Sequence, residues 1–122
     1  MAVPKGTPPT GGWPVISWAH GTTGTADVCA PSRNDGPSYP DYDYVSRVNK
    51  SLDVWVRSGY AVLQTDYEGL GTPGPHPYLI GDSEASSVVD IVIAARQLVP
   101  QLSSKWVVMG HSQGGQASIF TA

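Results

Sequence analysis

Residues Gly110-His111-Ser112-Gln113-Gly114 form a G-x-S-x-G pentad. It lies between a short apolar run, Trp106-Val107-Val108-Met109, and a segment, Gly115 to Phe120, that suits a helix. A serine between strand and helix is held on a sharp, strained turn that raises its hydroxyl above the C-terminal edge of a parallel sheet. No other feature constrains the fold as much. Glycines fit at positions 110 and 114 because side chains there would clash with neighbouring backbone. The chemistry such a turn serves is acyl transfer through Ser112. The plainer reading is a surface serine in a glycine-rich loop.

The rest of the chain agrees with an α/β design. Val15 to Ala19 is a short, mostly apolar strand of the buried kind, and Tyr60 to Thr65 a second. Between them, Tyr44, Val45, Val48, Leu52, Trp55 and Val56 recur at three- and four-residue steps, which predicts a helix from Asp41 to Ser58 with one apolar face. Asp41 or Asp43 can cap its start, and Gly59 suits a left-handed residue just past its end. A second helix is expected from about Ser83 to Val99, with Asp82 as its cap, Glu84 favouring the N-terminus and Pro100 after its end. The third strand is read as Trp106 to Met109. Residues 25–40 and 66–81 are dense in Gly, Pro and turn formers and read as ordered loops. Alternating strands and helices imply right-handed crossovers and a parallel sheet. The expected fold is thus three parallel strands with crossover helices, in one unit over residues 1–122.

Composition narrows the function. At 122 residues the chain fits one domain, and the 14 glycines and 11 prolines cluster in loops between apolar segments. A net charge of −3 without a basic run gives no sign of a nucleic-acid partner. No stretch approaches the roughly 18 apolar residues of a membrane span. The first residues lack a charged-then-apolar signal peptide. No His/Cys/Asp spacing suggests a metal site, and Cys29 is the single cysteine.

Two further segments join the pentad: Trp18-Ala19-His20-Gly21-Thr22-Thr23-Gly24 at the end of the first strand, and Thr65-Asp66-Tyr67-Glu68-Gly69-Leu70-Gly71 at the end of the second. With Gly110 to Gly115, in this order, they resemble the secretory lipases of the α/β-hydrolase superfamily, the Candida lipase A-like group and its bacterial branch in particular. The resemblance runs over nearly the whole chain and implies a secreted carboxylic-ester hydrolase without a cofactor, acting on acylglycerols or simpler esters. It casts the chain as the N-terminal part of an α/β-hydrolase domain, up to the nucleophile elbow. The triad Asp and His are then expected in a C-terminal part that follows, and Cys29 is expected to pair in the full-length family.

Specific roles follow. Ser112 is the nucleophile, which needs a base within hydrogen-bond reach. Gln113, the residue after it, offers a backbone N–H to the oxyanion at a helix N-terminus. The second donor comes either from Gly21 and Thr22 or, by the resemblance, from the loop of Asp66; a carboxylate at Asp66 also suits local capping of backbone N–H groups. His20 is expected to support loop geometry rather than act as base. His111 adjoins Ser112, but the turn should point the two side chains apart. His76, between two prolines, is read as structural or exposed, and Asp90 as a solvated helix residue. Other readings stay open: an inactive piece that self-associates through an exposed sheet edge, an acyltransferase, or a peptidase or thioesterase with the same elbow.

Overall fold

The computed structural model describes residues 1–122. Its elements are β1 (Trp13–Ala19), α1 (Tyr42–Arg57), β2 (Ala61–Gln64), α2 (Gly81–Leu98), β3 (Leu102–Gly110) and α3 (Gln113–Thr121). The strands form one parallel sheet in the order β2-β1-β3. β1 is central: Ile16 lies opposite Val62 on one side and Val107 on the other.

Alternation along β1 sorts the layers. Val15, Ser17 and Ala19 face α2 and α3. Val15 packs with Leu63, Val92, Ala95 and Leu102, and Ala19 with Val88 and Ala117. Ser17, fully buried, donates its hydroxyl to the Val88 carbonyl of α2 at 3.1 Å, so the polar group in the core is satisfied. Trp18 points to the opposite face, where its ring meets Trp55 of α1 at 5.7 Å between centroids. α1 therefore covers one face of the sheet, and α2 and α3 the other. Val107 and Met109 of β3 lie on the α1 face beyond its cover and stay 52% and 39% exposed.

Four details differ from the sequence reading. β3 starts at Leu102 rather than Trp106, because Leu102 pairs with Trp13 and carries the polar run Ser103-Ser104-Lys105 into the sheet. The pairing shifts register between Trp13 and Val15, where Pro14 has no N–H to give. The loop over residues 25–40 contains single 3-10 turns at Asp27–Cys29 and Pro31–Arg33. Neither Asp41 nor Asp82 caps a helix through its side chain: Asp41 holds the N-cap position of α1 without a side-chain bond, and α2 already starts at Gly81. The C-terminus of α1 follows expectation. Gly59, at φ +92°, gives its N–H to Val56 and Tyr60 gives its own to Trp55, a Schellman closure. No helix is long and apolar enough to cross a membrane.

Candidate active site

The end of β3 runs into α3 through Ser112, which takes φ 56° and ψ −117°. Left-handed φ is costly for any residue but glycine, and such strain concentrates at functional sites. Only two other non-glycine residues have positive φ, Tyr67 at 68° and Leu79 at 60°. Both reach the same corner. Tyr67 donates its hydroxyl to the His20 carbonyl at 2.8 Å, and Leu79 accepts at its carbonyl from Gln116 on the first turn of α3.

The glycines of the pentad are required by packing. A Cβ on Gly110 would collide with the Gly114 carbonyl, and one on Gly114 with the Ala19 and His20 carbonyls. Gly114 thus lets the start of α3 rest directly on the end of β1. The Gly114 and Gly115 N–H groups are taken by the carbonyls of His111 and Ser112 at 2.9 and 2.8 Å. These turn bonds leave out the Gln113 N–H, which sits with the exposed Ser112 at the positive end of the α3 dipole.

The loop after β1 lies beside this turn. Gly21 gives its N–H to the Tyr44 hydroxyl at 2.8 Å, so this donor is already spent, contrary to the sequence reading. The reason is α1, whose first turn delivers a phenol that periodicity assigns only to an apolar face. A Cβ on Gly21 would press on that phenol and on His111. Thr22 is exposed, its N–H makes no hydrogen bond within the chain, and its hydroxyl meets that of Tyr78 at 2.9 Å. Asp66 does what a local cap does: its carboxylate accepts the Ser32 N–H at 2.9 Å, tying the loop after β2 to the 3-10 turn at Pro31–Arg33.

No histidine is hydrogen-bonded to Ser112. His20 is 1% exposed and its Nδ1 lies 2.7 Å from the Gly21 carbonyl, so Nδ1 carries the proton. Its ring packs on Tyr67 at 4.4 Å. Burial pushes its pKa below the usual histidine value, against the pull of the Gly21 and Asp66 carbonyls. His111 turns its Nδ1 toward the Tyr44 hydroxyl at 3.3 Å. Burial also raises the Tyr44 and Tyr67 phenols above the ordinary tyrosine range, so both are neutral hydrogen-bonding groups. Asp90 is exposed and the Cys29 thiol is free. No group of three or more metal-ligating side chains gathers anywhere.

Beneath the turn lies a polar cluster that the sequence reading missed. Gln113 is 3% exposed, and its amide nitrogen meets Glu84 Oε1 at 2.8 Å and His76 Nε2 at 3.1 Å. Glu84 itself is 1% exposed and His76 9%. One signal was available. Glu84, Val88, Val92 and Ala95 share the buried stripe of α2, and an acid in an apolar stripe needs a buried partner.

A family model described as secretory lipase matches residues 49–122, more than half of the chain. No curated protein and no solved structure matches. The matched stretch holds the second half of α1, β2, the loop that joins it to α2, α2 itself and the strand–Ser112–helix turn. With a parallel sheet flanked on both faces and a strained serine at its carboxyl edge, the chain belongs to the secretory lipase family, and its architecture is that of a partial α/β-hydrolase fold.

Proposed function

We propose that Ser112 is the nucleophile of a carboxylic-ester hydrolase that works through a serine acyl-enzyme. Family membership makes the protein a secreted hydrolase of the lipase and esterase kind; the assignment of the reacting groups is our reading. Ser112 Oγ attacks the ester carbonyl, and the carbonyl oxygen becomes an oxyanion. The Gln113 N–H and the Thr22 N–H are its donors, with the α3 dipole adding to the field. Gly21, already bonded to Tyr44, is not one of them. A carboxylate has no N–H to give, so Asp66 could serve only through its backbone. The tetrahedral intermediate collapses with loss of the alcohol, and water then hydrolyses the acyl-enzyme.

The observation that carries this reading is the backbone of Ser112 between β3 and α3, at φ 56° and ψ −117°, strain of a kind that clusters at active sites. The general base is assigned outside residues 1–122, since none of His20, His76 and His111 is hydrogen-bonded to Ser112. The Asp and His in the order Ser, Asp, His would supply it. The substrate is an acylglycerol or a simpler ester, and no cofactor is needed.

The test is covalent labelling of Ser112 with a fluorophosphonate, read by mass spectrometry, beside hydrolysis of p-nitrophenyl acetate and a longer-chain ester. We expect labelling confined to Ser112 and slow or no turnover. Ser112→Gly should lose the label and gain about 1 kcal/mol of stability, because glycine relieves roughly 1–3 kcal/mol of backbone strain and gives back part of it in chain entropy. Labelling elsewhere, or a loss of stability in Ser112→Gly, would overturn the assignment. Brisk turnover that vanishes in Ser112→Ala would move the base into this chain, with His20 first.

One observation favours a second reading, a chain that self-associates. β3 pairs with β1 along one edge only and shows Val107 and Met109 on an uncovered face.

A further inference from the structure

The residue after the nucleophile is required, in the reading above, only for its backbone N–H. A glycine would supply the same donor. Here that position holds a glutamine whose side chain is turned inward and 97% shielded from solvent, so the side chain has a task of its own.

The hydrogen bonds say what it is. His76 Nδ1 lies 2.8 Å from the Glu68 carbonyl, which can only accept. Nδ1 therefore carries the proton, and Nε2 presents a lone pair. The Gln113 amide nitrogen has two protons, and it lies within reach of two acceptors, His76 Nε2 and Glu84 Oε1. Rotating the amide by half a turn would set its carbonyl against both, so the orientation is decided by the partners. Glu84 Oε1 also accepts the Leu79 N–H at 3.2 Å. Ser83, next to Glu84, donates to the Glu68 carboxylate at 2.6 Å. One buried carboxylate thus joins the end of the β2–α2 loop to the first turn of α3.

The cost of this arrangement is visible. Glu84 Oε2 and Gln113 Oε1 are both buried without a partner in the chain. A carboxylate so placed is unfavourable for folding alone.

We infer that Glu84 is a positioning residue which, through the Gln113 side chain and with His76 as the second anchor, holds the Gln113 N–H and the Ser112 turn in working geometry. This rests on the reading of the Gln113 N–H as an oxyanion donor. Glu84 touches no reacting atom; it acts by fixing the rotamer of the residue that carries the donor. Position 84 thereby governs a site 29 residues further along the chain.

The experiment uses the 122-residue chain and two readouts: amide hydrogen exchange by NMR, and the rate of fluorophosphonate labelling at Ser112. Glu84→Leu should raise exchange at the amides of residues 113–116 by about tenfold or more, the minimum expected for losing a hydrogen bond to a charged group. The amides of Ile16 and Leu63 in the sheet should not change. Glu84→Gln keeps an acceptor at Oε1 and should rescue most of the protection. Gln113→Leu should repeat the effect of Glu84→Leu, and the double variant should be no worse than either single one, as for partners that act only through each other. If Glu84→Leu does not fold, Gln113→Leu reads the same contact from the other side. Unchanged exchange at residues 113–116, an equal rise throughout the chain, or a Glu84→Gln as damaging as Glu84→Leu would each overturn the inference.

Labelling separates it from the reading it rests on. A wild-type chain that takes no label refutes the nucleophile, and exchange still decides on Glu84. A labelled wild type matched in rate by Glu84→Leu refutes the positioning role alone.

Discussion

Burial keeps the His20 ring neutral, and this has a measurable consequence. Its folded-state pKa lies below the 6.5 of the free side chain, with desolvation as the largest cause. The folded chain therefore binds fewer protons than the unfolded one. Stability is fully present above pH 6.5 and is lost as pH falls from there through the folded-state pKa. Thermal midpoints measured from about pH 7.5 to about pH 5 should decline, and His20→Gln should flatten that decline. A wild-type midpoint independent of pH over this range would mean that the ring is not held neutral. At this scale the sequence was legible where backbone geometry dictates residue type. Gly110, Ser112 and Gly114 were placed on a strand–turn–helix by the pentad and the runs that flank it, because a tight turn admits few alternatives. Gly21 was misread, since its N–H is spent on a phenol that arrives from α1, 23 residues later. Glu84 and His76 were missed as site residues because their partners lie on other elements, and no local pattern records such contacts.

Among the elements, α1 was the most legible. Its apolar spacing and Gly59 fixed both its face and its end. Gly59→Ala forces a side chain onto a residue at φ +92° and should cost about 1–2 kcal/mol in urea unfolding. Gly115→Ala is the contrasting change. Gly115 has no left-handed φ and open space where a Cβ would go, inside α3, so it should gain up to about 1 kcal/mol. Equal effects at the two glycines would contradict the Schellman closure. The start of β3 was illegible because Ser103, Ser104 and Lys105 interrupt the apolar run, and only pairing with Trp13 extends the strand to Leu102. The start of α2 misled in another way. Its expected cap, Asp82, lies inside the helix, and Glu84 instead reaches back to the Leu79 N–H.

The whole molecule presents two unequal sheet margins. Beside β2, Ala2 exchanges backbone hydrogen bonds with Val62 at 2.8 Å each way, an antiparallel bridge that shields part of that edge. Beside β3 there is no such cover, and Val107 and Met109 stand bare on the face. Sedimentation velocity at rising concentration should show a shift toward a dimer, and Met109→Lys should reverse it by placing a charge on that face. Monomer at every concentration would refute the associating reading. The parallel sheet was legible from the alternation of elements, whereas the strand order and the uneven margins were not, because periodicity says nothing about which strand sits in the middle. That middle strand also sets a timetable for synthesis. β1 leaves the ribosome before β2 and β3, yet Ile16 meets Val62 only 46 residues later and Val107 only 91 residues later. Pairings so distant in sequence are slow to close. One side of the central strand can pair once β2 is made, but the side that meets β3 must wait, apolar and open, until nearly all of these residues have been made, and in that interval a chaperone has the most to protect.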